Sequence, residues 1–531
     1  MEVNCTYIPY ADTGYFSTLV QDYLSNAEGL QPFYRFRPDA AGIRASIAQR
    51  NQFSTNRALL VNALKAQYAG KTLSAKQVAH IDALLKDNTY TVTTAHQPNI
   101  FTGPLYFIYK IIHAIKLADE LSTEMPDQHF VPVYYMGSED ADLDELGYIK
   151  LQGHTHRWET KQTGAVGRML VDNAFLQLIE AVYGQIGVLS NGPGLAELFR
   201  HCYAKGRSIQ EATFDLVHQL FAEFGLLVVM PDSPALKAAF IPVIEKELTT
   251  RFSHTAVEKT AAALAKQYKV QASGRDINLF YLIDNHRERI EADGDDFVVQ
   301  ALNLRFTKAA MLEEVRTYPE RFSPNVILRG VFQETILPNI AFIGGGGELA
   351  YWLELEQVFA KAEVPYPVLI LRNSFLLMEK AQHEKLQLLD LSIKDIFQHT
   401  DAIMQQMVRK QSANQLSLDR EKQSLEAFYA QLAEISGKID ATLVPHTAAL
   451  KEKAMHKLEG LEKKLFRAEK RKYADQQRQI AQLRAHVFPS DSLQERAENF
   501  SIYYSTFGVE FLQKLYHASR GTAQQFCIVQ L

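Results

Sequence analysis

Three short segments of the 531-residue chain combine reactive side chains with the backbone freedom that a ligand site needs. In Thr94-Ala95-His96-Gln97-Pro98-Asn99-Ile100-Phe101-Thr102-Gly103-Pro104-Leu105-Tyr106, an imidazole, two amides and a hydroxyl precede an apparent helix start. Thr102 can cap that helix, and Pro104 suits its first turn, where a missing N–H costs nothing. Free N–H groups and the helix dipole there favour a carboxylate or phosphate; the plainer alternative is a structural turn.

The second segment, Ser138-Glu139-Asp140-Ala141-Asp142-Leu143-Asp144-Glu145, gathers carboxylates that could orient a substrate amine, cap a helix or hold a divalent cation. An EF-hand is excluded, because Glu145 stands where that loop needs glycine and Leu151 where it needs glutamate. In the third, the apolar run from Ile340 meets Gly344-Gly345-Gly346-Gly347 and then Glu348 and Tyr351. Four positions without side chains let a ligand approach the backbone closely and let N–H groups converge, and the cost of ordering them disfavours a mere turn. The spacing is neither a dinucleotide fingerprint nor a P-loop.

Other signals are weaker. His154-Thr155-His156 reads as a polar loop, and no metal is expected there. Cys5, Cys202 and Cys527 are far apart, with no Cys-x-x-Cys pair, which fits neither a disulfide framework nor a zinc knuckle. The basic run Lys463, Lys464, Arg467, Lys470, Arg471, Lys472 alternates with Glu459, Glu462 and Glu469, as on a solvated coiled-coil face; phosphate or nucleotide contact is the alternative.

The elements that must position these loops follow from periodicity. Residues 14–86 read as a helical lead-in. Thr89–Thr94, Phe130–Met136, Leu226–Met230 and Val368–Leu371 read as strands separated by helix-length segments, which implies a doubly wound α/β sheet with ligands at the carboxyl ends of its strands. Asn278–Ile283, Glu288–Glu291 and Asp296–Val299 read as one small antiparallel meander inserted near residues 270–300.

From about residue 380 the texture becomes rich in Lys, Glu, Gln and Leu. Leu425, Phe428, Leu432, Ile435 and Ile439 form one heptad seam, and Ala454, Leu458, Leu461, Leu465 and Ala468 another. Gly437 and Asp440–Pro445 should separate them into an antiparallel hairpin, with a register shift near Tyr473 and Ile480. The expected domains are therefore a core over 1–380 and a helical coiled-coil domain with a tail over 381–531.

Net charge of −5, 47% hydrophobic and 22% charged residues give no general attraction to nucleic acid. The start Met1-Glu2-Val3-Asn4-Cys5 lacks the basic and apolar regions of a secretory signal, and no segment stays apolar long enough to span a membrane; a cytoplasmic protein with no membrane partner is expected.

Five segments together resemble the bacillithiol biosynthesis cysteine-adding family, BshC: His96 to Tyr106; Ser138-Glu139-Asp140; Ser323-Pro324-Asn325-Val326 with Leu328-Arg329; Gly344 to Tyr351; and Phe488-Pro489 with Leu493-Gln494-Glu495-Arg496 and Asn499. They span residues 96 to 499. Many members have Gly-Gln-Gln where this chain has Ala95-His96-Gln97, and proline where it has Gly346. The resemblance implies a Rossmann-like parallel-sheet core with inserted connecting segments, followed by a C-terminal α-helical coiled coil that forms a homodimer. It also implies a ligase that joins the carboxyl of L-cysteine to the amino group of glucosaminyl malate.

On that reading Glu139, Asp140, Asp142 and His96 are the catalytic candidates. Gln97, Asn99, Thr102, Gly103, Tyr106, Ser138, Arg329, Gly345, Gly346, Gly347, Glu348 and Tyr351 would contact substrate, with Arg329 pairing a carboxylate. The carboxyl must be activated, which implies a nucleotide such as ATP or ADP, with Arg467, Lys470, Arg471, Gln494 and Arg496 as candidates to hold it. Two alternatives stand beside it: a nucleotidyltransferase-like or synthetase-like enzyme adenylating another small acid, and a coiled-coil scaffold without catalysis.

Overall fold

The computed structural model describes residues 3–272 and 274–531. The chain divides into two compact units, one running to Glu379 and resuming at Ser492, the other Lys380–Asp491. Of the domain expected over 381–531, the last forty residues pack with the first compact unit, where strand Phe526–Gln530 pairs with both Cys5–Ile8 and Phe375–Met378.

The lead-in forms helices Thr18–Leu24, Ala40–Arg50, Arg57–Gln67 and Ala75–Ala83, each begun by a side chain that accepts a backbone N–H: Ser17, Asp39, Asn56 and Ser74. The central sheet holds five parallel strands, β1 (Thr89–His96), β2 (His129–Met136), β3 (Leu227–Val229), β4 (Asn339–Gly344) and β5 (Val368–Leu371). Their spatial order is β5-β4-β1-β2-β3. Such strands are covered on both faces, which is why β2 to β5 run largely apolar without alternation; β1 is threonine-rich instead, and its buried Thr91 and Thr93 hydroxyls donate to Asn339 Oδ1. Tyr90, Val92, Phe130, Ile340, Ile343, Val368 and Ile370 join Ala114, Leu117 and Leu121 of helix α1 (Tyr106–Glu124) in one core.

The insertion is two three-stranded sheets rather than one meander. Leu279–Ile283 pairs with His286–Arg289 and with Phe322–Pro324, while Glu291–Asp293, Asp296–Val299 and Leu304–Phe306 form the second. The return of Phe322–Pro324 is a long-range pairing that local patterning does not carry. It leads through Asn325, whose side chain accepts the N–H of Ile327, into helix α2 (Val326–Ile336). Helix α3 (Gly346–Trp352) follows β4.

In the second unit, helices α4 (Thr400–Gln411), α5 (Asp419–Ile439), α6 (Leu443–Lys470) and α7 (Ala474–Val487) succeed one another. Lys422 bonds Glu462 at 2.6 Å near one end of α5, and Ser436 meets Thr447 at 3.1 Å near the other, so α5 and α6 run antiparallel. The break between them is narrower than expected. Gly437 stays within α5, and Pro445 lies in the first turn of α6, where its missing N–H is not needed. A 3-10 turn at Arg471–Tyr473 makes the register shift, after which Ile480 packs with Ile403, Met404, Met407 and Val408. Seam residues Phe428, Ile435 and Ile439 remain 54%, 55% and 77% exposed.

Candidate active site

Between β1 and β4 the order of strands reverses, and in open α/β sheets the crevice beyond the carboxyl ends at such a switch point is where ligands bind. Register fixes what emerges there. Thr94 lies beside Ile343, and Gly344 beside Leu371, so His96, Gly345 and Arg372 leave the sheet at one level. His96 also pairs with Met136, and Gly137 donates its N–H to His96 O at 2.8 Å, bringing the second loop alongside the first.

Asp140 is the carboxylate at the centre of these loops. Gln97 Nε2 donates to its Oδ2 at 3.0 Å, and Arg329, one turn into α2, approaches to 3.8 Å. Burial raises the Asp140 pKa, but Arg329 and Gln97, with more distant Arg287, outweigh that and hold it below its ordinary value. Tyr351 of α3 is a further neighbour of Arg329 and raises its pKa, against burial. Its own pKa is pushed up to about 12 by burial, with Glu348 adding to the shift.

His96 is held edge-on against Tyr106 and Phe107, with ring centroids 5.4 Å away in each case. Its Nε2 is buried and has no hydrogen-bond partner. Burial, followed by the positive charges of Lys110, Arg329 and Arg372, drives its pKa well below the usual imidazole value, so the ring is neutral.

Two cations complete the floor. Lys110, the charged residue in the apolar start of α1, bonds Ala95 O at 2.9 Å and forms an ion pair with Glu348. Burial lowers its pKa, with Glu348 opposing. Arg372 directly follows β5; it bonds Glu495 Oε1 at 2.7 Å and Ser374 Oγ at 3.0 Å and lies 5.4 Å over the Tyr106 ring. Arg287, from the inserted sheets, donates to Ser323 Oγ at 3.1 Å and covers the Phe280 ring at 3.9 Å. Sequence reasoning missed Lys110, Arg287, Arg372 and the role of Glu495. A lone lysine in an apolar helix and an arginine immediately after a strand were the available signals.

Several sequence assignments change. Glu139 faces away from Asp140 into a buried cluster, paired with Lys237, which also lies 3.3 Å from Asp232; Asp232 in turn takes two bonds from Arg168 at 2.7 Å. Its charge is neutralised there rather than presented to a substrate. Asp142 is exposed and caps helix Leu143–Leu146 by accepting the N–H of Glu145 at 3.0 Å.

Thr102 does not cap α1: it sits at φ 68° with its hydroxyl buried and unpartnered. The amino end of α1 is covered by the chain itself, since Leu105 N–H donates to Glu498 O at 2.8 Å and Asn499 Nδ2 binds the carbonyls of Phe101 and Gly103. Gly103, at φ 65°, is packed against Asn99, and a Cβ there would lie 2.8 Å from the Asn99 Cβ. Asn99 keeps a buried, unpartnered Oδ1, and Ser138 a buried, unpartnered Oγ.

In the glycine run the N–H of Gly345 is taken by Glu348 Oε2 at 2.8 Å. Gly344 is required by packing, for a Cβ would lie 2.9 Å from the Phe342 ring, whereas Gly347 faces open space and Gly346 abuts Val20. Gln494 pins strand Phe375–Met378 through both backbone groups of Leu377, so its amide is committed to structure; Arg496 is exposed.

In the second unit, Lys470 pairs with Asp401 at 2.8 Å, and Arg471 lies in the 3-10 turn. Arg467 instead lines a cavity of about 700 Å³ with Arg409, Lys422 and Lys463. His154 and His156 lie on a hairpin strand rather than in a loop. Among the described residues no group of three or more His, Cys, Asp or Glu side chains could hold a metal ion, and no helix is long and apolar enough to cross a membrane.

Residues 1–373 match the family model for the N-terminal Rossmann-like domain of bacillithiol biosynthesis BshC, and residues 375–531 that for its C-terminal coiled-coil domain. A protein of Flavobacterium johnsoniae provisionally named cysteine ligase BshC is 38% identical, with all of both chains covered. One from Christiangramia forsetii with the same name is 38% identical over 97% of this chain and 96% of its own. Another from Salinibacter ruber is 27% identical over 96% of each chain. With both domain models matched in order and relatives alike from end to end, the chain belongs to the BshC family of bacillithiol biosynthesis.

Proposed function

We propose that this enzyme is a cysteine ligase that forms an amide between the carboxyl of L-cysteine and the amino group of glucosaminyl malate, at the switch-point crevice. The observation that carries the reading is Asp140, ionised and held between Gln97 and Arg329 beside a neutral His96 whose Nε2 lacks a partner. An attacking amine must be uncharged and oriented. The carboxylate of Asp140 accepts one of its N–H groups, and the His96 ring offers an acceptor that does not compete as a cation. Arg329, partly exposed, supplies positive charge for the malate carboxylates and for the oxygen that gains charge as nitrogen adds to the activated carboxyl, while Lys110 and Arg372, buried and paired with Glu348 and Glu495, hold the surrounding loops in place.

Activation of the cysteine carboxyl needs a group-transfer donor, for which we propose a nucleoside triphosphate. In the cavity of the helical unit, Arg409, Lys463 and Arg467 are the groups proposed to meet its phosphates; Asp419 and Glu462 share the lining, and Glu462 already pairs with Lys422. We further propose that the exposed seam of α5 and α6 pairs with a second copy of the chain, and that the enzyme works in the cytoplasm.

Incubating the purified protein with cysteine, glucosaminyl malate and ATP tests the whole reading. The expected products are bacillithiol by mass together with AMP or ADP. Pyrophosphate exchange driven by an acid other than cysteine would favour an adenylating enzyme of different substrate instead.

A further inference from the structure

Two of the three cysteines, nearly the full chain apart in sequence, are neighbours in space. Cys5 opens the edge strand Cys5–Ile8, and Cys527 lies in the middle strand Phe526–Gln530. The antiparallel register sets Cys5 opposite Val529 and Tyr7 opposite Cys527. Side chains two residues apart share a face, so both thiols lie on one side of the ribbon as a diagonal pair. Cys5 is half-buried, and Cys527 is buried.

We propose that Cys5 and Cys527 form a reversible intrachain disulfide, made by exchange with a low-molecular-weight disulfide, that clips the first strand onto the last. This is independent of the ligase reading.

Diagonal partners are spaced at about 7–8 Å, against at most about 6.8 Å between α-carbons in most disulfides, so the bond requires the edge strand to slide slightly. A four-residue strand paired on one side only can do so. The chemistry is divided between the two residues. Hydrogen bonding from Cys527 lowers the Cys5 pKa to about 7 against the opposing effect of burial, and Tyr7 and Arg520 assist. The Cys5 bond and burial raise that of Cys527. Cys5 is therefore the attacking thiolate.

It displaces one thiolate from the small disulfide and becomes a mixed disulfide. Cys527 then releases its proton to solvent as its sulfur attacks the Cys5 sulfur and displaces the second thiolate. Two protein thiols are oxidised and one small disulfide is reduced to two thiols. Cys202, fully buried with its pKa raised to about 12 by burial, is not part of the exchange.

The test is to incubate the full-length protein with oxidised glutathione, block free thiols with N-ethylmaleimide, and map peptides without reduction. The expected result is a Cys5–Cys527 cross-linked peptide, lighter by two hydrogens and free of maleimide, in most molecules. The oxidised protein should also melt several degrees higher than the reduced one, and Cys5→Ser should abolish both effects. Alkylation of both cysteines after oxidant treatment, or a glutathione adduct that persists on Cys5 with Cys527 still alkylated, would overturn the proposal.

Discussion

Asp140 and Arg329 stand 3.8 Å apart, one from the loop after β2 and the other from the first turn of α2, and the guanidinium helps hold the Asp140 pKa below its ordinary value. The pair joins a loop to a helix almost two hundred residues further along the chain, and three predictions follow from the residues gathered around it.

Asp140→Asn should lower the rate of amide formation by about 100-fold, the lower range for losing a positioned proton acceptor, while thermal stability stays close to that of the parent. Mass-spectrometric detection of bacillithiol, beside a melting curve, checks this. Full activity would remove Asp140 from the chemistry.

Arg329 holds the Asp140 pKa below its ordinary value, so the contribution of that ionised carboxylate is present above the unfolded carboxylate pKa and fades as pH falls through the lower folded one. Without the guanidinium, the strongest of the influences that oppose burial is gone and the Asp140 pKa rises, with Gln97 and Arg287 still lowering it. Arg329→Gln should therefore move the acid limb of activity to higher pH, read from kcat/KM against pH. An unmoved limb would show that Asp140 does not set it.

His96 titrates the opposite way from a histidine that gains a partner. Its folded pKa is far below the unfolded one, so the unfolded state binds the proton first, and stability present above about pH 6.5 is lost on acidification by up to about 1.4 kcal/mol per unit. Replacing it by glutamine should flatten this loss. Urea unfolding near pH 7.5 and near pH 5.5, compared between parent and His96→Gln, measures the difference; parallel losses in the two proteins would refute it.

How much of this was legible beforehand depends on the range of the interaction. Four of the five strands could be read because buried parallel strands are rich in apolar or β-branched residues, and the three loops because they end such runs. What spacing cannot give is direction. Glu139, Asp140 and Asp142 look interchangeable in sequence, yet one enters an ion cluster with Lys237, one meets Arg329 and one caps a helix. The same limit hid Arg372 and Glu495, whose 2.7 Å contact exists only because the chain returns after Asp491.

A fourth prediction concerns stability. Arg50 and Glu334 form a fully buried pair at 2.5 Å, with Asn339 Nδ2 donating to Glu334 Oε1 at 2.7 Å. Glu334→Ala leaves an uncompensated guanidinium and should cost about 3–5 kcal/mol, measured by urea unfolding. The double change Arg50→Met with Glu334→Leu should recover much of it, because no charge is then stranded. A loss near zero for the single change would mean that the pair is not closed in solution.

The exposed seam gives a fifth. If the proposed dimer forms through this seam, Phe428→Glu combined with Ile435→Glu should convert it to a monomer by light scattering, with little change in helical ellipticity, since both side chains are more than half exposed within one chain. A mass that stays unchanged would place any self-association elsewhere.

The strand Phe526–Gln530 lies between Cys5–Ile8 and Phe375–Met378, so the middle member of that sheet leaves the ribosome last. Throughout synthesis its two flanking strands wait as open edges, each able to recruit a stray strand from another nascent chain. Premature termination just short of Phe526 would therefore yield a sticky product rather than a slightly shortened enzyme, and a growing cell has reason to clear such fragments quickly.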